Sequence, residues 1–216
     1  STQYPGHPFS EPYIPEENKL EFFNRHGLDI STPLLVLLPG SRQQEIDRHW
    51  NIFLDTVNII IKKKPELQVC VAKASNVKID PLPKHIRVEK KLTKCAILHS
   101  DVALASSGTA TLECAVHDTP FVVCYKMSTL SWILVNLLAK VPYSSMVNLI
   151  AGKKVVPEFL QSKMRPGPIA ESLLKLFGQS RGKKNMLFHF EEVRRSLGLP
   201  GVYKRAAEAI WKEHLL

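Results

Sequence analysis

Apolar runs and amphipathic stretches alternate along the middle of the chain. Leu34 to Leu38 is an unbroken apolar run that ends at Pro39 and Gly40, as expected of a strand buried on both faces. In residues 46–61, apolar side chains then recur at the helical period and form one stripe. The same alternation continues, and it predicts strands at 68–72, 86–89, 102–105 and 121–125, with helices at 93–99 and 109–116.

Short apolar strands separated by helices are typical of βαβ units. We therefore expect an α/β fold, a Rossmann-like doubly wound parallel sheet. Ligands of such sheets bind at the carboxyl ends of the strands, where the strand order reverses, so the loops after residues 38, 89, 105 and 125 are candidates. After residue 126 the pattern predicts no further strand and a helical extension, with helices at 129–140, 169–178, 184–197 and 203–215.

The charge of the chain indicates an anionic partner. Its 216 residues carry a formal net charge of +9, which suits nucleotide phosphates, nucleic acid or an anionic membrane surface. The basic runs at 62–64, 90–91 and 183–184 lack interleaved aromatic residues that could stack bases, and we interpret them as solvated faces. We expect no nucleic-acid partner.

The cysteines and the apolar stretches indicate a cytoplasmic protein. The four cysteines form no CxxC pair, and no Cys/His cluster has zinc-ligand spacing, so we predict buried thiols, no metal and no cofactor. The first ten residues do not resemble a secretory signal, and the longest apolar-rich stretch, 130–141, is shorter than the ~20 residues of a membrane span. Four prolines within the first fifteen residues predict a linker, which implies a preceding segment.

The turn before the helix at 109–116 is the first candidate for phosphate binding. Its helix start leaves backbone N–H groups free at the positive end of the dipole, and Gly108 allows close approach. A cap requires one hydroxyl, whereas this turn has four: Ser106, Ser107, Thr109 and Thr111. We favour phosphate binding. Glu113 either accepts hydrogen bonds from ribose hydroxyls or is only a first-turn carboxylate.

A second turn of this kind follows the first strand. It contains Gly40, Ser41 and Arg42, and the helix that follows carries Glu45. An arginine at the mouth of a cleft could pair with two phosphate oxygens and stabilise the charge of a departing diphosphate. A surface ion pair between Arg42 and Glu45 is equally consistent with the sequence.

Three polar residues stand in apolar surroundings further along the chain. Asn148, Glu158 and Gln161 must find hydrogen-bond partners if they are buried. Those partners could be backbone groups or the hydroxyls of a sugar, and the sequence leaves both open.

Together, these segments resemble the lipid-A-disaccharide synthase family. The motifs are LLPGSR with EI at 37–46, SGTATLE at 107–113, NLIAG at 148–152 and VVPEFLQ at 155–161. The resemblance covers nearly the whole chain and only the second half of the family, which implies the carboxyl, donor-binding domain of a GT-B glycosyltransferase. It also implies transfer of 2,3-diacylglucosamine from its UDP derivative to 2,3-diacylglucosamine 1-phosphate, giving a β-1,6-linked disaccharide and UDP without a bound metal.

The resemblance assigns roles to individual residues. Arg42 would face the diphosphate and Asn148 would lie near the donor sugar, and these are the two expected catalytic residues. The expected substrate-binding residues are Gly40, Ser41, Ser107, Gly108, Thr109, Glu113, Glu158 and Gln161. Val147 stands where the family usually has proline, which could loosen the loop that carries Asn148. The catalytic base is expected on the domain that would precede residue 1.

The expected ligand is a UDP-linked acylated glucosamine. The acyl chains suggest that the apolar segment 130–138 rests on the cytoplasmic face of the inner membrane, although it could also pack in the core or a homodimer interface. We expect a linker and helix at 1–30, the nucleotide-sugar-binding domain at 31–165, and helices at 166–216 that pack toward the preceding domain or a partner subunit. The alternatives are a UDP-sugar epimerase-like domain and a basic nucleic-acid-binding module.

Overall fold

The centre of the molecule is a parallel sheet of six strands. In the computed structural model, which describes residues 4–128, 132 and 142–214, the strand order is β3-β2-β1-β4-β5-β6. The strands are β1 (Leu34–Leu38), β2 (Gln68–Ala72), β3 (Ile86–Glu89), β4 (Val102–Ser106), β5 (Phe121–Tyr125) and β6 (Glu158–Leu160). All five strand pairs are parallel, which confirms the expected Rossmann-like sheet.

The strand order reverses at the middle of this sheet. The chain runs outward from β1 to β3, then returns to place β4 on the other side of β1, with Val36 opposite Ala103. Every residue of β1 and β4 is buried, as expected of central strands covered on both faces. The gap between the carboxyl ends of β1 and β4 is therefore the place where this topology leaves room for a ligand.

Helices cover both faces of the sheet. They are α1 (Lys19–His26), α2 (Gln43–Lys63), α3 (Thr93–His99), α4 (Thr109–Val116), α5 (Met146–Ala151), α6 (Pro166–Leu174), α7 (Arg181–Ser196) and α8 (Val202–His214). The stripe of α2 is buried as its period predicts, with Trp50, Phe53 and Val57 at most 2% exposed. Burying each such side chain contributes about 2 kcal/mol.

The expectation that no strand follows residue 126 is wrong. β6 pairs with β5, placing Phe159 opposite Cys124. It has only three residues, all half-buried, and it follows Pro157. An edge strand this short shows no recognisable alternation, so the sequence carries no clear signal for it.

The carboxyl-terminal helices begin earlier than the sequence pattern indicates. α6 has proline at its first turn, and the side chain of Ser180 caps α7 by accepting a hydrogen bond from the backbone of Lys183. The side chains of Ile169, Leu173 and Phe190 belong to the same core as the sheet, so α6 and α7 are part of the folded unit. The predicted helix at 129–140 and the apolar segment 130–138 lie outside the described residues, except for Trp132.

The four cysteines are all fully buried and free. Burial raises the pKa of Cys70 to about 12 and also raises the pKa of Cys114 and Cys124. Among the helices within the described ranges, none is both long enough and apolar enough to cross a bilayer.

Candidate functional site

A cavity of about 420 Å³ opens where the strand order reverses, and we call it the switch-point cavity. Its walls come from the turns after β1 and β4, the end of β2 and the start of α3. Seven of the expected site residues lie in these walls: Arg42, expected to be catalytic, and six expected to bind substrate, namely Gly40, Ser41, Ser107, Gly108, Thr109 and Glu113. The fold thus brings together two turns that are more than sixty residues apart in the sequence.

The turn from β4 into α4 is open toward this cavity. Gly108 has a φ of +143°, and a Cβ placed there would meet no described atom within 4 Å. The hydroxyl of Thr111 donates to the carbonyl oxygen of Gly108 (2.7 Å), so it does not occupy the N–H groups of the helix. In the described part of the chain, no side chain caps α4. The N–H of Thr111 donates to the carbonyl oxygen of Gly108 (3.1 Å), which leaves the N–H groups of Thr109 and Ala110 at the open start of the helix.

The other hydroxyls of this turn differ in their availability. Ser107 donates to the carbonyl oxygen of Ser144 (2.8 Å) and accepts a hydrogen bond from the Ser144 hydroxyl (3.2 Å). It therefore ties the turn to the segment before α5. Thr109 is exposed, and its hydroxyl has no hydrogen-bond partner among the residues that the structure covers. Thr109 and the N–H groups around it are the groups free to meet an anion.

The turn from β1 into α2 is filled by the side chain of Glu45, a residue in the first turn of α2. One carboxylate oxygen of Glu45 accepts hydrogen bonds from the backbone N–H groups of Ser41 (3.0 Å) and Arg42 (3.3 Å). A Cβ on Gly40, whose φ is +123°, would overlap this carboxylate and lie 2.8 Å from the Cβ of Glu45. The backbone of this turn is therefore already bonded to an anion.

The side chain of Arg42 remains available at this turn. It is 81% exposed, and its closest approach to the Glu45 carboxylate is 3.7 Å. The ion pair considered from the sequence is thus present but long, and exposed pairs contribute less than about 1 kcal/mol. The guanidinium can turn toward a phosphate in the cavity at little cost.

Glu113 is half-buried in the wall between the cavity and the amino-terminal segment. Burial raises the pKa of its carboxyl group, and the nearby Lys94 opposes that shift. A carboxylate in such surroundings gains from hydrogen bonds donated by a ligand, because few water molecules reach it.

The remaining expected site residues lie in the wall of a second cavity, of about 360 Å³, which we call the β6 cavity. They are Asn148, Glu158 and Gln161, and Trp132, Tyr143, Lys154 and Lys163 lie with them. This cavity is beyond the carboxyl end of β5, on the same edge of the sheet as the switch-point cavity. The hydrogen bonds between Ser107 and Ser144 connect the walls of the two cavities.

Asn148 is fully buried, and every hydrogen-bonding position of its amide is used. Its oxygen accepts from the N–H groups of Val155 (2.7 Å) and Val156 (2.9 Å), and its nitrogen donates to the Val156 carbonyl (3.0 Å) and to Glu158 (2.8 Å). The backbone alternative left open by the sequence is therefore the one observed, and the amide has no free hydrogen-bonding position to offer a sugar. The catalytic role of Asn148 stays a prediction.

Glu158 and Gln161 also hold the chain around the β6 cavity. Glu158 accepts hydrogen bonds from the N–H groups of Ser144 (3.0 Å) and Ser145 (2.9 Å), in addition to the one from Asn148. Gln161 has a positive φ of 51°, and its amide, with nitrogen toward the carbonyl, pairs with both backbone groups of Met127 (3.3 and 3.2 Å). These two residues shape the cavity.

Val147 does not loosen this region. It lies within α5 and is fully buried, and the four hydrogen bonds of the neighbouring Asn148 amide fix the segment. With valine at this position, the Asn148 amide is thus held by four hydrogen bonds.

Several residues in the cavity walls are not among those predicted from the sequence. Ala72 and Thr93 line the switch-point cavity, and Tyr143, Lys154 and Lys163 line the β6 cavity. The rule that ligands bind at the carboxyl ends of strands, applied to β2 as well, would have found Ala72. Thr93 follows the candidate loop after residue 89, so the same rule points to its neighbourhood. The positions of Tyr143, Lys154 and Lys163 depend on long-range packing. In the described ranges no group of three or more His, Cys, Asp or Glu side chains could hold a metal ion.

The sequence is similar to curated proteins of one kind. A family model described as lipid-A-disaccharide synthetase matches residues 1–209. The lipid-A-disaccharide synthase of Solibacter usitatus is 38% identical over 96% of this chain and 56% of its own length. That of Myxococcus xanthus is 34% identical over 97% of this chain and 57% of its own. The chain therefore spans about half the length of the curated relatives it matches.

Solved structures show the same architecture at low sequence identity. The pneumococcal O-GlcNAc transferase GtfA in complex with UDP and GlcNAc superposes with a TM-score of 0.55 at 13% identity, over 84% of this chain and 36% of that one. WaaG, a glycosyltransferase involved in lipopolysaccharide biosynthesis, gives 0.53 at 12%, over 94% and 53%. The C-terminal domain of the glycosyltransferase LpcC from Francisella tularensis gives 0.53 at 10%, over 85% and 94%.

These superpositions confirm the expected fold, a Rossmann-like domain of the GT-B glycosyltransferases. The family model covers nearly all of the sequence, and the relatives above share about a third or more of their residues with it over the matched length. The chain belongs to the lipid-A-disaccharide synthase family.

Proposed function

We propose that this chain is the donor-binding half of a lipid-A-disaccharide synthase. It would bind UDP-2,3-diacylglucosamine for transfer to 2,3-diacylglucosamine 1-phosphate in lipid A biosynthesis, with a β-1,6-linked disaccharide and UDP as products. The observation that carries this proposal is the uncapped start of α4 at Gly108, which faces the exposed Arg42 in one cavity at the reversal of the strand order. That arrangement suits a diphosphate.

The two turns would hold the diphosphate in different ways. The N–H groups at the start of α4 and the hydroxyl of Thr109 would donate to phosphate oxygens at the positive end of the helix dipole. Arg42 would approach with its guanidinium and stabilise the charge that develops when UDP departs. The Ser41–Arg42 backbone would serve as a support for the Arg42 side chain, since its N–H groups are bonded to Glu45.

Glu113 would accept hydrogen bonds from the ribose, and the donor sugar would extend toward the β6 cavity. Glu113 lies in the wall of the switch-point cavity, one helical turn beyond the phosphate-binding groups. The β6 cavity offers Lys154 and Lys163 besides the residues that shape it. No carboxylate of this chain is assigned as the base that deprotonates the acceptor, which we place on the other half of the enzyme.

We also propose that the protein works at the cytoplasmic face of the inner membrane. The family acts on acylated sugars, and the apolar segment 130–138 would contact the membrane or a second copy of the chain. Sedimentation with anionic liposomes distinguishes membrane contact from contact with a second copy. If the segment binds lipid, Trp132→Glu would abolish co-sedimentation. Unchanged sedimentation of the variant would exclude that role.

Titration of the chain with UDP in metal-free buffer tests the donor site. We expect UDP to bind, and Arg42→Ala to weaken binding about tenfold, because a charge-assisted hydrogen bond contributes about 1.5 kcal/mol. The matched control is Arg181→Ala, since Arg181 is exposed at the start of α7 and lines neither cavity. The affinity of Arg181→Ala for UDP should equal that of the unmodified chain.

Failure of UDP to bind the unmodified chain would overturn the proposal. Equal affinities of Arg42→Ala and Arg181→Ala would overturn the role of Arg42 alone. Titration with single-stranded DNA and RNA separates the nucleic-acid alternative, which predicts tight binding that weakens steeply with salt.

A further inference from the structure

His49 contacts the chain at the carboxyl ends of two strands, β1 and β5. It belongs to α2, and its side chain is fully buried. One ring nitrogen, Nδ1, lies 3.0 Å from the carbonyl oxygen of Pro39, the residue before the Gly40 turn. The other, Nε2, lies 3.0 Å from the backbone nitrogen and 3.2 Å from the carbonyl oxygen of Lys126, the residue after β5. One imidazole therefore spans the distance between the two loops.

The chemistry of these two contacts selects one form of the ring. A carbonyl oxygen only accepts hydrogen bonds, so Nδ1 must carry a proton and donate to Pro39. Lys126 presents both its N–H and its carbonyl oxygen to Nε2, so a neutral ring accepts from the N–H, whereas a doubly protonated ring would donate to the carbonyl. The neutral tautomer protonated on Nδ1 satisfies both requirements. Burial lowers the pKa of His49, which favours this neutral form.

The ring is also held by its neighbours. The Phe53 ring lies nearly parallel to it, with centroids 6.3 Å apart, and the Tyr125 ring is tilted against it at 5.4 Å. Phe53 belongs to the buried stripe of α2, and Tyr125 ends β5. His49 is thus a fixed bridge rather than a side chain free to turn toward substrate.

The two contacts continue into the two cavities. From Pro39 the chain passes directly into the turn that supports Arg42. From Lys126 it passes to Met127, whose backbone groups pair with the amide of Gln161 in the wall of the β6 cavity. A continuous series of covalent and hydrogen bonds therefore runs from one cavity to the other through a single side chain.

We propose that His49 is a positioning residue that couples the two cavities, fixing the Arg42 turn and the Gln161 segment in one geometry. This inference rests on the proposed function, since it assigns the diphosphate to one cavity and the donor sugar to the other. His49 has no contact with substrate in this scheme. It determines whether both parts of one nucleotide sugar are held at the same time.

Two variants each keep one of the two His49 contacts and remove the other. His49→Asn places an amide near the position of Nδ1 and keeps a donor for Pro39, while it loses the contact with Lys126. His49→Gln reaches the position of Nε2 and keeps an acceptor for Lys126, while it loses the contact with Pro39. His49→Phe keeps the ring and loses both contacts. Circular dichroism establishes that each variant is folded before binding is measured.

The measurements are the dissociation constants of UDP and of UDP-N-acetylglucosamine, used as the probe with a sugar. His49→Asn should keep the dissociation constant of UDP within about twofold. It should raise the dissociation constant of UDP-N-acetylglucosamine, relative to that of UDP, about fivefold. His49→Gln should weaken UDP about fivefold and keep the ratio. His49→Phe should change both. If folded Asn and Gln variants change the two quantities in the same proportion, or change neither, the coupling role is wrong.

Nitrogen-15 NMR of the unmodified chain tests the bridge without any ligand. We expect the His49 ring to show a protonated Nδ1 and an unprotonated Nε2 at neutral pH. The opposite tautomer would overturn the proposal. Failure of UDP binding with the expected tautomer would instead contradict the proposed function and leave the hydrogen-bond bridge established.

Discussion

The two strand-to-helix turns of the switch-point cavity look alike in sequence, but only one of them has its backbone N–H groups bonded by a side chain. Each follows a buried central strand, contains a glycine with positive φ and carries hydroxyl residues. In the turn before α2, the third helical residue is Glu45, whose carboxylate reaches back to the N–H groups. In the turn before α4 that position is Thr111, whose hydroxyl donates to the carbonyl oxygen of Gly108 instead. One residue thus determines whether the helix start is occupied.

The difference accounts for an arginine on only one side of the proposed diphosphate site. The open turn would meet phosphate with backbone N–H groups, and it would require no cation of its own. The filled turn has no such groups to offer, and its carboxylate adds a negative charge, so Arg42 would supply the attraction. The predictions below test this contrast between an open and a filled turn.

The largest expected effect is on stability, from placing a Cβ at each glycine. Gly40→Ala should lower the free energy of unfolding by about 4 kcal/mol, because backbone strain and overlap with Glu45 each cost about 2 kcal/mol. Gly108→Ala should cost about 2 kcal/mol, since the strain remains but the space is open. Urea denaturation of both variants measures the difference. Equal losses would show that the two turns are not packed differently.

An intermediate effect is expected from the carboxylate that fills the first turn. Glu45→Ala should lower the free energy of unfolding by about 2 kcal/mol, because the two N–H groups lose their charged acceptor. Glu45→Gln keeps an acceptor and removes the charge, so it should cost about 1 kcal/mol and strengthen UDP binding about twofold. Thermal unfolding and UDP titration provide the two readouts. Weaker UDP binding by Glu45→Gln would mean that the charge aids the site by orienting Arg42.

The smallest expected effect concerns Glu113 in the open turn's helix. Burial raises the pKa of this carboxyl group in the folded state, so its folded form is penalised as pH rises through that pKa. Glu113→Gln should therefore be more stable than the unmodified chain at pH 8, by less than about 1 kcal/mol because the group is partly solvated. At pH 3.5 the difference should shrink toward zero.

The control for this pH dependence is Glu171→Gln, because Glu171 is exposed on α6. Its stability should follow that of the unmodified chain at both pH values. A Glu113→Gln variant that is less stable at pH 8 than at pH 3.5, relative to the unmodified chain, would mean that the carboxylate is stabilised by the fold rather than penalised.

Local patterns were sufficient to predict most of the sheet. The central strands are continuous apolar runs, and the stripe of α2 repeats over several turns, so burial and period agree. The two turns were located correctly because the carboxyl ends of parallel strands meet at one edge. The sequence could not show that Glu45 fills one of them, since capping by a glutamate and an ion pair with Arg42 use the same two residues.

The β6 region could not be predicted in the same way. β6 is too short for a period, and the bonds of Asn148 to Val155 and Val156 depend on how the chain turns after α5. The bond between Gln161 and Met127 joins residues far apart in sequence, and so does that between His49 and Lys126. Such contacts arise from the register of β5 with its neighbours, which propensity does not encode.

The burial of every cysteine has a practical consequence for following the motions of this site. A maleimide dye reacts with thiolates, and the four native thiols are both inaccessible and hard to ionise where their pKa is raised. A single new cysteine on an exposed position, such as Ser41→Cys at the filled turn, would therefore be labelled alone in an otherwise unaltered chain. Fluorescence of the dye would then report how the filled turn responds to added ligand.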